Sequence, residues 1–408
     1  MTETTTRSPH EKLLSRRAQS VRSWLPASAA PPAVPLLILA GGVPDPAELP
    51  FAAIAEATQA VMDNPDDRHL ALQYGGPQGP PPLRQELAEW IGQLEGIELT
   101  REHFMLTSGS AQALDNICRA FLDPDDAVIV ESPTFSGSIR SFRGQEAVIY
   151  GVGLDDKGML SDELRSVAER VGNDGRALKL IYSIPNFHNP AGVTMTLERR
   201  EELVKVGRET GALIIEDAAY DGLRFDGEDL PSLFTLAGGE GVIRIGTFSK
   251  IIATGLRLGY SQADPEAIQA LVNMRFDMGT SPMTARTVVE LMRNGTMEDH
   301  RRRMVDLYRR KRDVMLEALQ EHCAEHCSWS RPEGGFFIWL ELKPGATAQE
   351  VSKTAYAEGA VVVPGDSFFC DEDCENFVRL AYSFIALDDI PEAIRRLGVA
   401  LQKTYADG

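Results

Sequence analysis

The run Gly246-Thr-Phe-Ser-Lys-Ile-Ile-Ala-Thr-Gly-Leu-Arg-Leu-Gly-Tyr260 decides how the rest of the chain is read. An apolar stretch ends there in two hydroxyl residues, Thr247 and Ser249, followed at once by Lys250 and, seven positions later, by Arg257. The pattern is that of a strand handing its polar residues to a strand-to-helix turn. An isolated Ser-Lys pair in such a turn is ordinarily a solvated lysine, but Ile251 and Ile252 supply apolar surroundings and Arg257 a second cation. Both influences lower an amine's pKa from ~10.4 and leave it nucleophilic. Two cations side by side are explained by an anion between them. A phosphate dianion fits, because Arg grips phosphate in bidentate fashion while hydroxyls donate to it.

A reactive amine beside a phosphate seat meets two needs of pyridoxal phosphate. The others are a carboxylate for its ring nitrogen, donors for its ring oxygen, an aromatic face and a dipole for the phosphate. The carboxylate is Asp217, at the end of Ala212-Leu-Ile-Ile-Glu-Asp217, a run that reads as a buried parallel strand delivering an acid at its carboxyl end. Period-two alternation sends Glu216 to the opposite face. Taken alone, Asp217 is equally a cap for the next turn, and Tyr220 equally a core tyrosine. A second apolar run, Leu178–Pro185, leads into Asn186-Phe-His-Asn-Pro-Ala-Gly192. Asn189 precedes a proline, which biases it to extended backbone and lets its amide project at the strand end. His188 reads as a loop or wall residue.

Upstream, Phe104-Met-Leu-Thr-Ser-Gly-Ser-Ala-Gln-Ala-Leu-Asp-Asn-Ile117 reads as strand, glycine turn and helix start. Free backbone N–H groups at that helix N-terminus, with the Ser110 hydroxyl, make an anion seat, although serine is also an ordinary N-cap. Phe135 falls just beyond the strand Ala127–Glu131, where an aromatic side chain can stack on a flat ring or pack in the core.

These motifs, with Ala-Gly-Gly-Val-Pro-Asp-Pro at 40–46, Tyr74, Asn-Pro-Ala-Gly at 189–192, Gly-Leu-Arg at 255–257 and Arg379, occur in one order. From about Leu39 to near the C-terminus the chain resembles a fold-type I pyridoxal-phosphate-dependent aminotransferase of the class I/II group, in the aminoadipate and kynurenine transaminase branch. The resemblance implies an α/β fold with a mostly parallel seven-stranded sheet in a large domain and a smaller α+β C-terminal domain. It implies Lys250 as the Schiff-base lysine, Asp217 as the ring-nitrogen partner, Asn189 and Tyr220 at the ring oxygen, and Phe135 on the ring. Ser110, the Ala111 backbone, Thr247, Ser249 and Arg257 then surround the phosphate. The resemblance further implies that Arg379 grips the substrate's α-carboxylate, that Gly42 brings backbone to the substrate, and that Tyr74 reaches the phosphate of a neighbouring subunit, so that a homodimer with shared active sites is expected. Two departures leave the substrate open. Phe135 stands where tyrosine is frequent, and Phe368-Phe-Cys-Asp-Glu-Asp-Cys374 lies near the expected substrate mouth.

The implied activity moves an amino group from an L-amino acid to a 2-oxo acid by a ping-pong route, with Lys250 as general base and acid. The same cofactor seat would serve a lyase or a carbon–carbon bond-forming enzyme of specialised metabolism. A transcription regulator built on this fold needs a helix-turn-helix module, and the region before Leu39 reads as too short and too proline-rich for one.

Composition agrees with a soluble enzyme. The 408 residues are 43% hydrophobic, enough for a large core, and no apolar run approaches the ~20 residues of a membrane span. A formal charge of −19 argues against nucleic acid and anionic membrane as partners. The first twenty residues carry charge and no signal-like apolar core, so the expected address is cytoplasmic. Five cysteines make no disulfide framework in a chain this long. His322-Cys-Ala-Glu-His-Cys327 lacks the two-residue cysteine gap of structural zinc, so no metal is expected there, and Cys370 and Cys374 are read the same way.

The expected organisation is an N-terminal arm at 1–48, Pro-rich at 26–35 and packed over a neighbour or the small domain, a large domain at 49–290, and a small domain at 291–408. Large-domain strands are expected near 103–107, 127–131, 146–152, 178–184, 212–217, 242–248 and 257–262. A charged helix over 296–323 leads to small-domain strands near 335–341, 360–363 and 377–384, with helices near 347–358 and 389–402.

Overall fold

The computed structural model describes residues 13–20, 34–370 and 374–407. Residues 26–33 of the Pro-rich stretch and 371–373 of the Phe368–Cys374 stretch lie outside them. Among the described residues fourteen strands are formed: β1 (Leu37–Ile38), β2 (Phe104–Thr107), β3 (Ala127–Ser132), β4 (Val148–Asp155), β5 (Gly158–Met159), β6 (Leu178–Ser183), β7 (Leu213–Asp217), β8 (Val242–Thr247), β9 (Gly259–Gln262), β10 (Cys327–Trp329), β11 (Phe337–Leu342), β12 (Ala360–Val361), β13 (Val363–Pro364) and β14 (Phe377–Ala381).

The large sheet has the order β2-β9-β8-β7-β6-β3-β4-β5. Seven of its strands coincide with the seven apolar runs read from the sequence. The eighth, two-residue β5, pairs antiparallel with the end of β4 and is too short for any periodicity to reveal it. Strands β8, β7, β6, β3 and β4 run parallel, and β3, β7 and β8 are almost wholly buried because helices cover both faces. Strand β9 is antiparallel to both β8 and β2, so β2 points the same way as the parallel set. Six strands therefore present their carboxyl ends at one edge, and β9 presents its beginning there. Asp217 ends β7 there, the segments following the other ends carry Ser110, Phe135, Asn189 and Lys250, and the segment preceding β9 carries Arg257.

A long helix, Thr296–His322, leads to the antiparallel sheet β10-β11-β14-β13. Apolar β11 packs there with Tyr382 and with Leu397 of the terminal helix Ile390–Asp407. Strand β1 pairs in parallel with β12, and Leu39 bridges onward, donating its N–H to Val361 O and accepting from Ala381 N–H just after the same turn of chain. Residues 37–39 thus belong to the small domain. Arg16 pairs with Glu146 beside the helix Ser136–Gly144. Among the described residues no helix is long and apolar enough to cross a membrane.

One buried charge ties these parts together. Lys311, on the long helix and wholly buried, donates to Asp45 Oδ2 (2.6 Å), Ser383 O (3.0 Å) and Ile385 O (2.6 Å). Ser383 in turn donates its hydroxyl toward Val43 O at 2.8 Å. The Gly41–Asp45 segment and the chain just past β14 are thereby fixed to one ammonium. Removing one partner of such a pair strands the other in low dielectric. Lys311→Met is expected to lower unfolding free energy by about 3–5 kcal/mol, read as a lower urea midpoint at unchanged slope; a midpoint equal to the parent's would show that the pair carries no stability.

Candidate active site

Lys250 leaves the end of β8 half-buried, with Ile251 and Ile252 packed in the core behind it. Its Nζ donates to Gly42 O at 2.9 Å and lies 6.0 Å from the ring centres of Tyr220 and Phe336. Burial pushes the ammonium down to about 8; Asp217 opposes the shift, and Arg379 and then Arg257 add to it. Desolvation is thus the leading cause, and the stronger cationic influence is Arg379 and not Arg257 as the local sequence suggests.

Asp217 ends β7 almost fully buried. Its Oδ2 accepts from the Tyr182 hydroxyl at 2.6 Å and its Oδ1 from Ala219 N–H at 3.1 Å. Burial raises the acid to about 6 against those two donors. Glu216 faces the other way, accepting from Leu233 N–H and Phe234 N–H, each at 3.1 Å. Tyr182 was not singled out in the sequence. Its contact depends on the register of β6 against β7, which no local pattern discloses.

Asn189 is the meeting point of the two domains. Its Nδ2 donates to the Tyr220 hydroxyl at 3.4 Å, and its Oδ1 accepts from Arg379 Nη1 at 3.0 Å. Tyr220 is buried edge-on against Phe336 and Phe337. His188, the wall residue, is buried with its Nε2 3.0 Å from Glu131 Oε2, while its Nδ1 accepts from Ala191 N–H at 3.3 Å. An accepting Nδ1 puts the ring proton on Nε2, which donates to Glu131. Glu131 also accepts from the Ser183 hydroxyl (2.6 Å) and Ile184 N–H (3.0 Å), so one buried carboxylate anchors the loop that carries Asn189.

Arg379 projects from β14 between Phe337 and Phe368, its guanidinium carbon 4.4 and 4.9 Å from their ring centres. Nη2 donates to Ala40 O at 3.2 Å, and the buried Nε has no partner among the described residues. Burial lowers its pKa to about 10, which still leaves it charged at neutral pH.

At the other end of the site, Gly109 (φ 87°) turns β2 into the helix Ser110–Phe121, whose first N–H groups have no side-chain cap. A Cβ at Gly109 would come within 2.9 Å of Arg257 Nη2, so only glycine lets the guanidinium lie against the helix start. Arg257 Nη2 donates to Ser108 O at 2.9 Å. Gly259 pairs with both Thr107 and Thr247, which brings the ends of β2 and β8 together there. Thr247 accepts from Ser249 N–H at 3.1 Å, and both side chains are buried. Ser110 and Phe135 are half-buried and Ala111 is exposed. Tyr74 stands apart from these residues, 82% exposed. Cys323 and Cys327 are core residues, Cys327 Sγ donating to Cys323 O at 3.4 Å.

Uncapped helix N–H groups, a guanidinium and two hydroxyls at one end, a buried acid at the other, and a pKa-depressed lysine between them form a donor set suited to a phosphate and a protonated aromatic nitrogen. A parallel sheet with that set at its carboxyl edge defines a fold-type I pyridoxal-phosphate enzyme. Residues 36–397 match the family described as aminotransferase class I and II, and the chain belongs to it. It is 34% identical to the aromatic-amino-acid aminotransferase 1 of Thermococcus litoralis over 96% of this chain and 94% of that one. Among solved structures it resembles the Pyrococcus horikoshii kynurenine aminotransferase (TM-score 0.89, 33% identity, 97% and 98% of the chains covered). It also resembles the alpha-aminoadipate aminotransferase of Thermus thermophilus complexed with N-(5'-phosphopyridoxyl)-L-leucine (TM-score 0.85, 36% identity, 91% and 94% covered). The protein is an aminotransferase whose cofactor is pyridoxal 5'-phosphate, and none of these relatives supports the lyase alternative.

The depressed lysine has a stability cost with a definite pH window. Below pH 8 the folded chain holds an ammonium where burial disfavours it, and the cost fades as pH rises from about 8 toward the ordinary value of 10.5. In cofactor-free protein, Lys250→Met is expected to raise unfolding free energy by about 3 kcal/mol at pH 7, with the gain vanishing above pH 10. Denaturant titrations across that range check it, and a gain independent of pH would contradict the assignment.

Proposed function

We propose that Lys250 is the covalent and proton-transferring residue of an aminotransferase that passes the amino group of an L-amino acid to a 2-oxo acid. The observation carrying this reading is the buried pair formed by the depressed amine of Lys250 and the buried carboxylate of Asp217, set beside a guanidinium with an uncommitted N–H. In this reading Asp217 pairs with the ring nitrogen, Asn189 and Tyr220 donate to the ring oxygen, and Phe135 covers the ring. Ser110, the Ala111 N–H, Thr247, Ser249 and Arg257 hold the phosphate. When bound, the cofactor supplies an electron sink for the substrate's α-carbon.

The protein's own work is acid–base and positional. With a pKa near 8, a useful fraction of Lys250 Nζ is unprotonated at neutral pH, so it can attack and later carry a proton between substrate Cα and the cofactor. Arg379 has five N–H donors, of which those to Asn189 and Ala40 are committed. The remainder, including Nε–H, suit a substrate carboxylate. Gly42 sits against Phe337 with no room for a Cβ, keeping bare backbone beside Lys250.

The same proposal includes a homodimer in which Tyr74 reaches the partner's phosphate seat. Tyr74, Phe276 (79% exposed) and Met278 belong to two loops in backbone contact at Gly76 and Gly279, an apolar patch that a second copy would cover. The division at 49–290 and 291–408 is supported by the change of sheet between β9 and β10. A cytoplasmic address is supported by Cys118, Cys323 and Cys327 being buried thiols.

Protein purified with pyridoxal phosphate is expected to show the visible band of the bound cofactor, and borohydride should trap the cofactor on Lys250. The band should fall on adding donors, tried in the order suggested by the relatives' substrates: aromatic amino acids, 2-aminoadipate, kynurenine. Lys250→Ala should abolish trapping and turnover. Trapping at another lysine, or no amino-group exchange with any amino acid, would sink the proposal. Tyr74→Ala in sedimentation and activity assays should weaken cofactor retention at least tenfold; full retention would remove Tyr74 from the shared site.

A further inference from the structure

Tyr182 has no part in the roles above, yet it makes the shortest contact to the proposed ring-nitrogen acid. It sits on β6, wholly buried, with its ring edge-on to Phe142 at 5.7 Å between centres. That packing aims the hydroxyl at β7, where it donates to Asp217 Oδ2 at 2.6 Å. Burial, and then the negative charges of Asp217 and Glu131, hold the phenol far above its ordinary pKa, so the hydroxyl is a fixed donor.

The groups facing Asp217 divide into two sets. Burial and Asp221, from the loop after β7, favour the neutral acid; the Tyr182 hydroxyl from β6, Ala219 N–H and Lys250 after β8 favour the carboxylate. Tyr182 leads the second set, and its loss leaves burial opposed by one N–H and the charge of Lys250. A hydrogen bond to the charged form favours that form, and one to a charged group is among the stronger kinds.

We propose that Tyr182 is a positioning residue that keeps Asp217 ionised and oriented, and through it keeps the cofactor's ring nitrogen protonated. The inference rests on the assignment of Asp217 under the proposed function. A protonated Asp217 would offer a hydrogen where the ring nitrogen needs an acceptor, and the ring would lose the positive charge that draws electrons from substrate Cα.

Tyr182→Phe keeps the ring and removes only the hydroxyl. The test is the 15N shift of ring-labelled pyridoxal phosphate in holoenzyme, with the melting temperature and the single-turnover rate for amino-group uptake. Parent enzyme is expected to show a protonated ring nitrogen across pH 6–9. Y182F should still be trapped by borohydride on Lys250 and melt within a few degrees of the parent. Its nitrogen signal should move toward the unprotonated position throughout that pH range, because the proton passes from the ring nitrogen to Asp217 with none released to solvent, and its half-reaction should slow on the order of 10- to 100-fold. Adding Y182F to Asp217→Asn should cost nothing further, since both act through one carboxylate. A Y182F ring nitrogen as fully protonated as the parent's, or a parent nitrogen already unprotonated, would overturn the inference. A parent enzyme that cannot be trapped on Lys250 would overturn the site assignment beneath it, an outcome separable from the other two.

Discussion

Neither Lys250 nor Asp217 is at ease in this fold, and the same apolar wall is responsible for both. Burial pushes the amine down to about 8 and the acid up to about 6, so each is driven toward its neutral form. The chain offsets the effect only in part, through Tyr182, Ala219 and the mutual attraction of the pair. A fold that bore such costs for stability alone would replace both groups with apolar ones, because well-packed hydrophobic residues commonly match or exceed a buried ion pair. The strain is intelligible once a ligand with a cationic ring nitrogen and a reactive carbonyl completes the site. In the proposed assignment Asp217 would then gain its countercharge, and Lys250 would be needed as the free amine that burial already favours.

The sheet converts this local constraint into an architecture. Parallel strands collect their carboxyl ends at one edge, and β2, β3, β6, β7 and β8 deliver site residues there without any long excursion of the chain. Reversed β9 solves a separate problem. If it ran with the others, the segment carrying Arg257 would enter at the far edge, away from the helix start at Ser110. Running antiparallel, β9 begins where β8 ends, so Lys250 and Arg257 flank a single turn, and Gly259 allows the backbones of β8, β9 and the Gly109 turn to touch.

What was legible in the sequence follows the range of the signal. The seven apolar runs and the strand-end residues after them are local patterns, because burial on both faces leaves continuous Ile, Val and Leu. Alternation was enough to separate Asp217 from Glu216. The short strands β1, β5 and β10 were not legible, since two or three residues carry no usable period, and the single strand expected near 360–363 is instead β12 and β13, which belong to different sheets. Nor were Tyr182, Glu131 and Lys311, whose partners are 35, 57 and 266 positions away in sequence. Their importance is a matter of register and of burial by other elements. The seven-residue spacing suggested Arg257 as the main cationic influence on Lys250, but Arg379, brought in by the small domain, exceeds it.

That last difference exposes how the domains are coupled. The depressed amine, the Asn189 amide and Arg379 belong to separate regions of the chain, yet each is hydrogen-bonded to another region, Lys250 to Gly42 O, Asn189 to Tyr220 and Arg379 to Asn189 and Ala40 O. Glu131 and His188 fix the Asn189 loop to the large sheet. Lys311 fixes both the Gly42 segment and the chain beyond β14 to the long helix. The Asn189–Arg379 hydrogen bond then joins two preset frames across the site. An anion binding Arg379 must act on all of them at once: it offsets the positive field that holds Lys250 low, which makes the amine more basic as a carboxylate arrives. Under the roles proposed for Lys250 and Arg379, substrate charge and base strength are linked through one guanidinium, and a substrate lacking the carboxylate would lose proton-transfer power as well as grip.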